Sequence, residues 1–236
     1  MPDRLEAPES PLDLYLARGE EVNVDRPLLQ GDVFADIEIP GVDDGPGVAA
    51  ILTHPCAMRR RDGVHLAERL LVARVEIGPD VPPDRWAAGH YKILPLPDLL
   101  ATGSENYALE YDLCGRVDSR LLQEAERLAC LDPFGICLLL QRLVHHQARV
   151  IVPTSDFHES CAHVFEEADL MEDWIGSARS AGEDVDAAAV ELHEFLRAPR
   201  KDERCLQDAL RDVARRAHVR RVVHERIAER FGVSAT

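Results

Sequence analysis

The sequence predicts an α+β protein, a small antiparallel β-barrel in the first half followed by a helical region in the second. Three observations carry this. Residues 28–117 alternate short apolar runs with turn residues, as antiparallel strands do. Proline and glycine punctuate those runs at Pro40-Gly41, Gly45-Pro46-Gly47 and Gly78-Pro79, with a further break at 101–104. Beyond Asp118 the apolar spacing lengthens to the period of a helix.

Five strands follow in order, at 32–39, 48–53, 70–77, 91–95 and 107–113, each rich in Val, Ile, Leu or Tyr and each ended by Gly, Pro or Asp. The gaps between them, under ~20 residues, are too short for crossover helices, which favours a closed small barrel over a parallel sheet. No glycine-rich phosphate loop is present. The spacing of Leu121, Leu122, Ala125, Leu128 and Ala129 predicts a helix, and that of Leu138, Leu139, Arg142, Leu143 and His146 a second, broken from the first at Asp132-Pro133. Residues 150–152 read as a short strand and 156–175 as a third helix. A polar loop at 177–186 follows, then a helix ended by Ala198-Pro199, then one long tail helix. The tail helix buries Leu206, Leu210, Val213, Ala217, Ile227 and Phe231. The division is a β-rich domain over 1–120 and a helical domain over 121–236.

Composition narrows the function classes. The 236 residues suffice for a stable core, and 46% hydrophobic with 30% charged residues is globular composition. The longest apolar runs fall well short of the roughly 20 residues that cross a bilayer. The acidic N-terminus lacks the pattern of a secretory signal, so a cytoplasmic protein is expected. The cysteines (56, 114, 130, 137, 161 and 205) show no framework spacing and are expected to be reduced, mostly as small buried apolar residues. A net charge of −16 repels a phosphate backbone as a whole. The basic footprint is residues 199–236, with ten basic and six acidic side chains. It could hold RNA, DNA or an acidic partner. The favoured reading is that it neutralises the acidic segment 156–194, because Phe231 is the one aromatic residue there able to stack a base.

The densest reactive cluster is Thr53-His54-Pro55-Cys56, at the end of a predicted central strand. Thr53, His54 and Cys56 are the candidate catalytic residues. A second cluster is His158-Glu159-Ser160-Cys161-Ala162-His163. On a helix, His158 and Cys161 share a face, so Cys161 with His158 or His163 could join His54 and Cys56 around one zinc ion. Paired Cys-x-x-Cys or His-Glu-x-x-His spacing is absent, and the competing reading makes the cysteines core residues and His54 a strand-end hydrogen-bond partner. A Cys56 nucleophile with His145, His146 or His163 as base is the third alternative. His145 and His146 are adjacent on a predicted helix and point about 100° apart, so at most one faces a given pocket.

Residues 30–37, Gln-Gly-Asp-Val-Phe-Ala-Asp-Ile, with the apolar strand 48–53 ending in Thr53 and the stretch 115–121 leading into a helix, resemble the MazF/PemK-type toxin family. The resemblance implies an SH3-like barrel, frequent homodimerisation and metal-independent cleavage of single-stranded RNA, with Thr53 at the catalytic hydroxyl position. The family places an arginine immediately before the proline that precedes the second strand, and here Gly45 precedes Pro46. Arg59, Arg60 or Arg61 could substitute. Two function classes follow: a binding or accessory protein with a protein partner, in the stress or phage-defence setting the resemblance implies, or an enzyme using Thr53, His54 and Cys56 on RNA or with zinc.

Overall fold

The structure is a computed structural model describing residues 4–42, 45–60, 65–87, 90–103, 105–200 and 205–232. The chain is α+β, with a curled antiparallel sheet in its N-terminal part and helices C-terminal. It divides into a sheet unit (1–23, 28–58 and 66–160) and a helical unit (24–27, 59–65 and 161–236).

The sheet has seven strands: β1 Tyr15–Arg18, β2 Val33–Ile37, β3 Gly47–Ile51, β4 Arg69–Ile77, β5 Ile93–Pro97, β6 Asn106–Asp118 and β7 Arg127–Leu131. Their spatial order is β1-β7-β2-β3-β4-β6-β5, every neighbouring pair antiparallel. The five strands expected from alternation are all present. The long β6 pairs with β4 from Arg69↔Asp118 to Ile77↔Tyr107, with an irregularity at Arg74 that bends the sheet. Phe34, Ile37, Ile51, Leu70, Val72 and Val117 form the packed interior of the curl.

The two edge strands share no backbone ladder, but side chains bridge them. The Tyr15 hydroxyl donates to the Pro97 carbonyl at 3.1 Å, and Arg18 Nη1 donates to Asp98 Oδ2 at 2.9 Å and to the Asp98 carbonyl. The Asp98 carboxyl is held below its ordinary range, first by the Gly103 N–H and then by Arg18. These bonds occupy edge groups that would otherwise be open to strand addition.

Two expectations are corrected. Residues 127–131 are a strand between β1 and β2, not the end of a helix; the helix is α3, Ser119–Glu124. Residues 150–152, expected as a short strand, are irregular coil. The sheet unit therefore extends past residue 120 and takes in β7 and the helix α4, Pro133–Ala148. Shorter helical turns are α1, Pro55–Met58, and α2, Pro83–Trp86.

α4 begins where Asp132 accepts the Gly135 N–H at 2.6 Å and Pro133 occupies the first turn. The next helix, α5, spans Thr154–Ser180. Its first turn is fastened by Glu6, whose carboxylate accepts the Thr154 N–H at 2.9 Å and the Thr154 hydroxyl at 2.6 Å. Gln141 returns the contact by accepting the Glu6 N–H at 2.7 Å.

The helical unit continues with α6, Val185–Arg197, α7, Leu206–Ala209, and α8, Val213–Phe231. The tail is thus two helices, not one. Asp212 restarts the chain as an N-cap, accepting the Ala214 N–H at 3.0 Å. Trp174, Leu192, Leu196, Leu210, Val219 and Val223 are fully buried in this unit's own core. Among the described residues no helix is long and apolar enough to cross a membrane.

Candidate functional site

β3 stops at Ile51, and the next two residues turn their N–H groups onto one acceptor. Leu52 and Thr53 both donate to the Leu71 carbonyl on β4, at 2.8 and 3.1 Å. The Thr53 hydroxyl then completes the pairing. Its oxygen accepts the Leu71 N–H at 2.6 Å and lies 3.4 Å from the Leu71 carbonyl oxygen, the acceptor for its proton. The hydroxyl expected to be catalytic is spent on the β4 backbone.

His54 begins the short α1. Its Nδ1 accepts the Cys56 N–H at 3.2 Å and its carbonyl accepts the Ala57 N–H at 2.8 Å. Nδ1 as acceptor places the ring proton on Nε2. Burial pushes the His54 pKa down, so the ring is neutral at pH 7. Pro55 and Met58 are buried and anchor the turn, while Cys56 is exposed. The tetrapeptide is therefore open to water through Cys56. The contact between His54 and Cys56 runs from imidazole to backbone N–H, the geometry of a helix start.

His158 lies in the sheet unit, where its charge favours the ionised form of Asp132. Asp132 is nonetheless raised in pKa, chiefly by burial. Cys161 and His163 belong to the helical unit, and Cys161 is fully buried. In neither unit do three His, Cys, Asp or Glu side chains gather as a metal site among the described residues. Arg59 and Arg60 belong to the helical unit and Arg61 lies outside the described residues, whereas Thr53 belongs to the sheet unit. Cys130 is buried beside Asp32, and burial with that carboxylate pushes its thiol up to about 12.

Three arginine settings were not singled out from the sequence. Arg74, on β4, is buried and donates to the carbonyls of Ile37 at 3.3 Å and Gly45 at 2.5 Å. Gly47 leaves room for it, since a Cβ there would overlap the guanidinium. Arg142, on α4, is completely buried and donates to the carbonyls of Trp86 at 2.9 Å, His90 at 3.3 Å and Glu6 at 3.4 Å, lying 5.2 Å from the Trp86 ring centroid. Burial lowers its pKa. The legible signal was an arginine inside the apolar stripe of a predicted helix.

The third setting is the end of α4. Arg149 there, in the left-handed conformation, stands 4.5 Å from the centroid of the partly exposed Tyr91 ring. His145 meets the same ring edge-on at 5.9 Å. His146 instead stacks on Tyr111 at 5.7 Å and brings Nε2 to 3.1 Å from Asp112. The adjacent histidines thus serve different neighbours, as their helical separation requires.

The basic tail is matched by the acidic helices of its own unit. Arg220 makes a two-pronged contact with Glu166 at 2.6 Å, Arg230 reaches Glu183 at 3.1 Å and Glu191 at 3.2 Å, and His224 meets Asp173 at 3.0 Å. The sequence matches no protein-family model and no curated protein.

Proposed function

We propose that this chain is a binding protein, in which an SH3-like curled sheet serves as a recognition scaffold for a protein partner and the helical unit is an accessory to it. The observation that supports the reading is the state of Thr53, whose hydroxyl accepts the Leu71 N–H at 2.6 Å and so serves the pairing of β3 with β4. The surface best suited to a partner is the corner where Arg149 lies over Tyr91, because exposed tyrosine and arginine supply rigid contact area and forked donors at protein interfaces. The setting, bacterial stress or phage defence of toxin–antitoxin type, follows from the sequence resemblance.

A second reading, a MazF-like endoribonuclease, draws on one observation. The Arg74 guanidinium reaches the Gly45 carbonyl, beside the proline where that family carries its arginine. Its burial among carbonyl acceptors favours a structural role. One assay separates the readings: wild-type protein and Thr53→Val are incubated with mixed-sequence single-stranded RNA. Neither is expected to cleave above buffer, and cleavage by wild type that disappears in Thr53→Val would overturn the binding reading. In the complementary arm, Tyr91→Ala with Arg149→Ala is expected to lose any protein that co-purifies stoichiometrically with wild type.

A further inference from the structure

Two left-handed residues, neither of them glycine, meet at one aromatic ring of the sheet unit. Arg149, at the end of α4, has a φ of 58°, and His90, the residue before Tyr91, has a φ of 56°. A Cβ is strained in that region, and glycine is the usual residue where a helix closes this way. Here α4 closes on Arg149, whose N–H donates to the His145 carbonyl at 2.9 Å. The closure sets the side chain in place: the guanidinium lies 4.5 Å from the Tyr91 ring centroid, and His145 meets the same ring edge-on.

Arg149 is exposed, and among the described residues no carboxylate or carbonyl accepts from its guanidinium. Asp112, which approaches α4 at His146, is shared between His146 at 3.1 Å and Lys92 at 3.4 Å. A guanidinium settled on a ring has lost much of its freedom already, so an incoming acceptor meets a fork of donors that costs little to order. Beside it the protein exposes apolar surface. Tyr91 is 41% exposed and Val150, next to Arg149 in the chain, is 45% exposed.

We propose, resting on the protein-binding reading above, that this corner receives an extended protein segment in which a single carboxylate adjoins an apolar side chain. The carboxylate takes the Arg149 fork in two-pronged fashion, and the apolar side chain packs on Tyr91 and Val150. Charge favours one carboxylate over a polyanion. Burial, then the charges of Glu76 and Asp112, raise the pKa of Glu110, so three carboxylates of the neighbouring strands lie within electrostatic reach of one another. A nucleic-acid strand would bring a further charge with every nucleotide toward that group, on a chain of net charge −16. One carboxylate matched to one uncommitted guanidinium adds no such excess.

The test uses the full chain and the blocked peptide acetyl-Ala-Glu-Leu-amide, titrated to about 10 mM, a weak-binding range, while backbone amide resonances are followed. Acetyl-Ala-Gln-Leu-amide, acetyl-Ala-Glu-Ala-amide and tetrauridylate RNA are the comparisons. The first peptide is expected to shift the amides of Tyr91, Lys92 and Val150 saturably and to bind severalfold tighter than the other three probes. Arg149→Gln is expected to weaken it about tenfold, the scale of one lost charge-assisted hydrogen bond. Tyr91→Ala is expected to weaken it severalfold, whereas Tyr91→Phe, and Arg69→Gln at an exposed position on β4, leave it unaltered. Arg149→Gly separates recognition from folding, because glycine takes a φ of 58° without strain. That variant is expected to lose binding with a melting midpoint at or above that of wild type. A midpoint clearly below wild type would assign Arg149 to folding and overturn the proposal, as would the absence of saturable shifts or an affinity indifferent to Arg149. Tetrauridylate binding tighter than the peptide also overturns it. So does the glutamine peptide binding as tightly as the glutamate one, although the corner would then still bind protein, and the broader reading fails only with its own co-purification arm.

Discussion

At the scale of single residues, Thr53 and His54 show how reactive side chains become structural ones. Thr53 continues the β3 to β4 pairing after the backbone ladder has ended, so removing its hydroxyl strands the Leu71 N–H. Thr53→Val is expected to destabilise the protein by about 1–3 kcal/mol, read from denaturant midpoints, with Thr53→Ser recovering most of the loss. His54 has a folded pKa below its ordinary 6.5 because of burial. The unfolded chain then binds the proton more readily, so the stability His54 contributes is complete above pH 6.5 and falls as pH drops toward the folded value. Unfolding midpoints between pH 7 and pH 5 are expected to decline less steeply in His54→Asn. An equal slope in that variant would show that other groups set the pH dependence. The residue pattern Thr-His-Pro-Cys was legible as a cluster at a strand end. Which way the hydroxyl faced was not, because that depends on the register of β3 against β4.

At the scale of elements, the strands written as alternating sequence were readable and the one written otherwise was not. β7 lies between β1 and β2, and Ala129, Cys130 and Leu131 are all buried. A strand covered on both faces has no polar alternation, and its leucines continued the spacing set by Leu121 and Leu122. β1 was missed because four residues hold too little pattern. The tail was read as one helix because its apolar spacing runs through the break, and only Asp212 marks the new start. The start of α4 yields a sharper expectation. Gly135 lies against the Leu14 carbonyl, where an added Cβ would collide with backbone that cannot rotate away. Gly135→Ala is expected to cost about 1–3 kcal/mol by thermal or chemical unfolding, despite alanine's higher helix propensity.

For the whole molecule, packed apolar clusters together with ion pairs explain how an acidic chain remains folded. The helical unit combines a core around Trp174 with ion pairs between α8 and the glutamates of α5 and α6. The Arg230 pairs are partly exposed, so Arg230→Gln is expected to lower stability by under about 1 kcal/mol, with the difference shrinking at 1 M salt. Differential scanning calorimetry at two salt concentrations checks this. Thiol accessibility is a second readout at this scale. Cys56 and Cys114 are exposed, whereas Cys130, Cys137 and Cys161 are buried. Native protein is expected to label rapidly at the first two and slowly at the last three, with mass spectrometry locating the adducts.

The sequence by itself determined the α+β class, the positions of five strands and the clustering of Thr53, His54 and Cys56, because periodicity and turn chemistry are local properties. Tertiary structure decided the rest. It set β7 inside the sheet, placed the Thr53 hydroxyl on Leu71, buried Arg142 among carbonyls and laid Arg149 over Tyr91. Each of these depends on contacts between residues far apart in the chain, and a local pattern specifies which face a residue occupies without specifying what it will meet there.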